Sequence, residues 1–197
     1  MRRYVLTGAP GAGKTSVLRA LLDLGFAVVE EAATDVIASE QARGVDEPWR
    51  DADFIDKIVA LQRQREQAAA PADGHGAAGP QPAATGPAVQ VHDRSALCTL
   101  ALARFLDRPV TPLLAAEVMR VIRQQTFQTA VFLVRPIGFV ERTPARRISY
   151  PESVAFERLH EAVYREHGFG IVSVPAAGVA QRAALIADFI ASRPSAG

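Results

Sequence analysis

Residues 8–15 read GAPGAGKT and match the spacing G-x-x-x-x-G-K-[ST], a loop that holds nucleotide phosphates. The chemistry needs these residue types in this order. Glycine lets backbone amides face phosphate oxygens with no side chain in the way. A helix starting near Lys14 adds the positive end of its dipole. Lys14 is expected to reach the β and γ phosphates, and the Thr15 hydroxyl to bind Mg²⁺. The predicted nucleotide-binding run is Gly8, Ala9, Pro10, Gly11, Ala12, Gly13, Lys14, Thr15 and Ser16.

Three further groups carry chemistry of the same kind. Asp93 ends the apolar run Val89 to Val91 in the sequence VHDRS, where a carboxylate can hold the magnesium shell together with Thr15. Arg94 follows, suited to pair with a transferring phosphoryl group. Glu30 and Glu31 end the second apolar run, and one of them is a candidate to accept a proton from an attacking hydroxyl. Residues 136–148, PIGFVERTPARRI, form an arginine-rich loop. From it Arg146 and Arg147, with Arg142 beside them, can close over the phosphates and offset charge that develops during transfer. Arg135 is a possible helper. Trp49 and Phe54 are candidates for an acceptor pocket or for the core. Asp35, Asp51 and Asp53 are weaker candidates for acceptor hydroxyls. His92 is expected to pack or hydrogen-bond at the strand end.

Absences narrow the chemistry. The chain contains no asparagine, so a guanine-reading N-K-x-D motif is impossible. Arginine, not a water-priming glutamate, follows Asp93. Both absences favour transfer to a small acceptor over switching or mechanical hydrolysis.

The elements that must position these groups alternate between strand and helix. Tyr4 to Thr7, Phe26 to Val29, Val89 to Val91, Ala130 to Val134 and Gly170 to Val174 read as short buried parallel strands. Helices are expected over Ser16 to Leu24, Ala32 to Ala42, Pro48 to about Gln67, 96–106, 112–125, Ser149 to about His167 and Val179 to Ser192. Thr111-Pro112 reads as a cap followed by proline in the first turn. Ser149 and Glu152 match a capping box. This pattern predicts a three-layer α/β sandwich with a parallel sheet, in which ligands sit at the carboxyl ends of the strands. Residues 68–88, AAAPADGHGAAGPQPAATGPA, have no periodicity and read as a flexible insert within a single domain spanning 1–197. As a coil it would span roughly 25 Å.

Composition sets the outer limits. The 197 residues include 22 Lys plus Arg and 21 Asp plus Glu, a net charge of +1 that gives no reason to expect nucleic acid or an anionic membrane as partner. The single cysteine, Cys98, cannot form an internal disulfide and is expected to be a small apolar residue on a helix. Lys14 interrupts any signal-peptide pattern, and no stretch reaches the roughly 18 apolar residues of a membrane span. A cytoplasmic, soluble protein is the expectation.

The segments GAPGAGKT, VVEEAATDVI, VHDRSAL and PARRISYPESVAFERLHEAVYREHGFGIVSVP together resemble a known family. They are similar to the small P-loop predicted ATPases named for an AAA domain, which are related to nicotinamide riboside kinase domains. The resemblance covers about 1–190, apart from the insert. Asp93-Arg94-Ser95 is also similar to the D-R-[YS] element of thymidylate kinases and the E-R-S element of deoxynucleoside kinases. The resemblance implies the sheet order 2-3-1-4-5. It implies that Asp93 organises magnesium and that Arg94 contacts phosphate or the reacting hydroxyl. Glu31 is the better match to the base, with Glu30 second.

Two functions compete on these grounds. One is an ATP- and Mg²⁺-dependent phosphotransferase acting on a small, nucleoside-like acceptor through Lys14, Glu31, Asp93, Arg94, Arg146 and Arg147. The other is an ATP-binding regulatory module with slow hydrolysis. A pocket beside Asp93 and Glu31 large enough for a nucleoside separates the first from the second.

Overall fold

A computed structural model describes residues 1–69, 89–138 and 148–193. The chain runs β1 (Arg2–Thr7), α1 (Lys14–Asp23), β2 (Ala27–Val29), α2 (Ala33–Ala42), a 3₁₀ turn (Pro48–Arg50), α3 (Phe54–Ala68) and β3 (Val89–Asp93). It continues through α4 (Ala96–Phe105), α5 (Pro112–Arg123), β4 (Ala130–Val134), α6 (Tyr150–Glu166), β5 (Gly170–Val174) and α7 (Val179–Ala191). The five strands form one parallel sheet in the order β2-β3-β1-β4-β5. This is the α/β P-loop kinase fold, with the sheet order expected from the sequence.

Alternation along the central strands decides which layer each side chain enters, because successive strand residues face opposite sides. Tyr4 and Leu6 of β1, with Phe132 and Val134 of β4, enter the core shared with α1 and α7. Val5 and Val131 enter the opposite core, built with α3, α4, α5 and α6. Both layers are dry: Val5, Leu6, Val131 and Phe132 are all fully buried.

Helix starts follow the local chemistry. Ser95 accepts from the Leu97 amide, Thr111 from the Leu114 amide and Ser149 from the Glu152 amide, while Glu152 returns a bond to the Ser149 amide at 2.8 Å. Each bond satisfies an amide that the helix itself leaves open. The helix expected from Pro48 divides instead. Pro48–Arg50 makes one 3₁₀ turn, Asp51 is extended at ψ 144°, and α3 begins at Phe54. Arg108, after α4, holds this turn by donating to the Trp49 carbonyl at 3.1 Å. Among the described residues no helix is long and apolar enough to cross a membrane.

Candidate active site

The carboxyl ends of β1, β2 and β3 lie side by side, because Leu6 pairs with Asp93 and Val29 with His92. This edge carries the phosphate loop. Gly8 sits at φ +141°, and a Cβ there would collide with the Val134 carbonyl oxygen of β4, so only glycine fits. Gly13 sits at φ +84° at the start of α1, and as N-cap it has no side chain to offer that helix. Its first amides are therefore left for an anion. Lys14 is buried, and its ammonium donates to the carbonyls of Gly8 at 3.2 Å and Ala9 at 3.1 Å. Burial, reinforced by the nearby Arg94 charge, lowers Lys14 to about 8. Arg182 of α7 supports the loop from behind by donating to the Ala12 carbonyl at 2.7 Å and the Arg135 carbonyl at 3.2 Å.

Beside the loop stands an interlocked charge cluster. Arg94 adopts φ +74°, a left-handed conformation that costs a non-glycine residue about 1–3 kcal/mol. Its amide is tied to the Leu6 carbonyl at 3.0 Å. Its Nε donates to Glu31 at 2.7 Å, and Nη1 lies 2.8 Å from His160 Nε2. The second Glu31 oxygen accepts from the Thr34 hydroxyl at 3.2 Å. Burial works against the Glu31 carboxylate, but Arg94 and then Lys14 outweigh it and hold Glu31 below the usual carboxylate range. Burial likewise opposes the Arg94 charge, but Glu31, Cys98 and Asp93 together outweigh it, so the guanidinium stays charged. Arg65 of α3 donates to the backbone carbonyls of Glu30 and Glu31, fixing the strand end that carries the candidate base. Asp93 is buried, and its Oδ1 has no hydrogen-bond partner among the described residues. Burial pushes Asp93 up to about 6, against the pull of Lys14.

The loop opens into a chamber of about 720 Å³, within the range of small-molecule sites. Pro10, Gly11, Gly13, Lys14, Thr15 and Ser16 form one end of it, and Glu31 and Arg94 stand on its wall. The rest is mainly apolar, with Ile37, Trp49, Phe54, Phe105 and Phe156 on its walls. Phe105 and Phe156 stack at 4.7 Å and brace α4 against α6. Gln62 of α3 also faces the chamber; it is 7% exposed, and its amide makes no hydrogen bond among the described residues. From Cys98, which lines the chamber, a continuous polar chain runs through Thr7, Tyr164 and Ser95. Cys98 Sγ lies 3.2 Å from the Thr7 hydroxyl and 3.1 Å from Tyr164 Oη, which is 2.7 Å from Ser95 Oγ.

The structure brings Lys14, Thr15, Ser16, Glu31 and Arg94 to one chamber, while Gly8, Ala9 and Ala12 shape the loop from behind. Asp93 is buried beside Lys14 and Arg94 rather than on the chamber wall. Glu30 is exposed and lies outside the chamber. Arg142, Arg146 and Arg147 fall outside the described residues, as does the insert beyond residue 69. Other expectations are corrected. Arg135 is drawn away by Glu157 at 2.7 Å and Glu161 at 3.1 Å on α6. Asp35 pairs with Arg65, Asp53 pairs with Lys57 at 3.1 Å, and neither they nor Asp51 line the chamber. Cys98 is buried as expected, yet its sulfur joins a polar chain rather than an apolar one. His92 packs edge-on to Phe127 at 5.0 Å and bonds Gln90 at 3.3 Å. Sequence reasoning missed Gln62 and His160. Their signal was a polar residue in an apolar helical stripe: Phe54-Ile58-Gln62 on α3 and Phe156-His160-Val163-Tyr164 on α6.

A family model described as an AAA domain matches residues 3–182, and the chain belongs to that family. Among solved structures, the chain is similar to a deoxyadenosine kinase from M. mycoides with bound dCTP, at TM-score 0.62 and 13% identity, covering 98% of this chain and 100% of that one. It is also similar to the NadR protein in complex with NR, at TM-score 0.61 and 16% identity, covering 88% of this chain but 43% of that one. At such identities the likeness shows the fold. No curated protein sequence matches the chain.

Proposed function

We propose that this AAA-domain protein is a phosphotransferase that moves the γ-phosphoryl group of ATP to a hydroxyl of a small, nucleoside-like acceptor. One observation carries the reading: a single chamber joins the phosphate loop to an aromatic compartment, with Glu31 and Arg94 at the junction. Two of the solved structures to which the chain is similar hold dCTP and NR, and the nucleoside portion of dCTP supports a nucleoside-like acceptor in this fold. We further propose that residues 1–197 form one domain carrying an insert at 68–88.

The residues divide the reaction as follows. The amides of the loop from Gly8 to Ser16 and the Lys14 ammonium hold the donor phosphates. The Thr15 hydroxyl and the Asp93 carboxylate are hard oxygen donors, and the unpartnered Asp93 Oδ1 suits Mg²⁺, a cation that takes few protein ligands and completes its shell with phosphate and water. Bound there, the ion would supply charge neutralisation between the β and γ phosphates. Glu31 is held ionised and can take the acceptor hydroxyl proton. The acceptor oxygen then bonds to the γ phosphorus as the bond to the β-phosphate oxygen breaks, and ADP leaves. Arg94 stabilises the phosphoryl group in flight, and Arg146 and Arg147 of the arginine-rich segment 136–148 are proposed for the same task.

A screen of nucleosides and related small hydroxyl compounds, with ATP, Mg²⁺ and a coupled readout of ADP release, tests the reading. Acceptor-dependent release together with a phosphorylated product supports it. Slow, acceptor-independent hydrolysis across the whole panel overturns it in favour of a regulatory ATP-binding module.

A further inference from the structure

We infer that His160 is the positioning residue that orients Arg94 toward phosphate, a role that rests on the phosphotransferase reading. The hydrogen bonds of the ring define its state. A guanidinium only donates, so His160 Nε2, 2.8 Å from Arg94 Nη1, must be the accepting lone pair. The Phe156 carbonyl only accepts, so Nδ1, 2.9 Å away, must carry the proton and donate it. The imidazole is therefore neutral with its proton on Nδ1. The ring is fully buried and lies against the Phe156 ring at a centroid distance of 4.2 Å, so it has little freedom to turn.

This arrangement settles which edge of Arg94 remains for a ligand. Nε is held by Glu31 and Nη1 by His160. Nη2 makes no hydrogen bond among the described residues, and Arg94 lines the chamber beside Lys14. Two acceptors from different elements, the end of β2 and the middle of α6, fix the guanidinium plane and leave the third donor for phosphate. Histidine suits the second position for an electrostatic reason. Glu31 already offsets much of the arginine charge, and it loses its own charge on accepting the acceptor proton. A second carboxylate would cancel the attraction for phosphate, whereas a neutral imidazole keeps Arg94 in place throughout without consuming its charge. Simple core filling would be met by Phe or Leu, and neither offers an acceptor to Arg94.

The test uses the full chain, with ATP and ADP affinities measured by calorimetry, turnover by ADP release, and thermal melting as the control for folding. His160→Phe keeps the volume and removes the acceptor. It is expected to lower turnover on the order of 10–100-fold, as loss of an orienting partner does elsewhere. It should also narrow the preference for ATP over ADP, with ADP affinity nearly unchanged. His160→Gln restores an acceptor and should recover most of both. Adding His160→Phe to Arg94→Met should cost nothing further, because the two act through one group. A folded Phe variant with wild-type turnover and preference overturns the inference, and so does a folded Gln variant as defective as Arg94→Met. If Phe does not fold, the Gln variant and the Arg94 cycle decide by the same criteria. A wild-type chain that binds neither nucleotide would overturn the phosphotransferase reading and this role with it. Wild-type binding with an indifferent His160 overturns this role alone.

Discussion

The phosphate end and the acceptor end of the chamber are built by opposite means. The phosphate end comes from nine consecutive residues, Gly8 to Ser16, and is proposed to bind mainly through backbone amides. Its shape is set by left-handed glycines and by a helix start with glycine as N-cap, features that tolerate little change of residue. The acceptor end comes from side chains on α2, the Pro48–Arg50 turn, α3, α4 and α6, spread from Ile37 to Phe156. It depends on packing, which many residue combinations satisfy. A backbone-built site keeps one ligand chemistry through large sequence divergence. A side-chain-built site can change its ligand while the fold stays the same.

Substitutions that affect one end and spare the other put this contrast at risk. Glu31→Gln acts where the ends meet and should have the largest effect: turnover falls roughly 10²–10⁴-fold, the usual worth of a general base, while ATP affinity by calorimetry changes little. Normal turnover on the true acceptor would remove Glu31 from the mechanism. Lys14→Ala should weaken ATP binding by about 2–5 kcal/mol, the cost of removing one partner of a buried charge contact. The ligand-free protein should melt no lower, because a buried ammonium disappears; a large fall in melting temperature would mean that Lys14 is mainly structural. Gln62→Leu belongs to the other end. It should weaken acceptor binding by about 1–3 kcal/mol, seen as a raised KM, with ATP affinity untouched. A parallel loss of ATP affinity would show that the two ends are not separable. Tyr164→Phe should have the smallest effect. It breaks the Ser95 and Cys98 contacts and should lower unfolding free energy by about 0.5–1.5 kcal/mol in a denaturant titration, without altering either ligand.

The same contrast governs what could be read from residues alone. The loop, the strand alternation and the caps at Thr111 and Ser149 are local patterns, and each appears where its spacing places it. Glu31, Asp93 and Arg94 were legible because Asp93 closes β3, Arg94 follows it and Glu31 lies two residues past β2. Asp35 and Asp53 misled, since a carboxylate is visible in sequence but the direction of its helix face is not; both point to basic neighbours outside the chamber. Arg135 lies at the right edge of the sheet, yet Glu157 and Glu161, more than twenty residues away, decide where it points. His160 touches Arg94 across 66 residues, a distance that no short pattern spans.

Arg182 of α7 donates the bond that supports Ala12 of the phosphate loop across 170 positions. During synthesis the phosphate loop is made 170 positions ahead of the side chain that supports it. A nascent chain carrying the whole GAPGAGKT motif therefore lacks the bond that steadies its Ala12 carbonyl until α7 has docked.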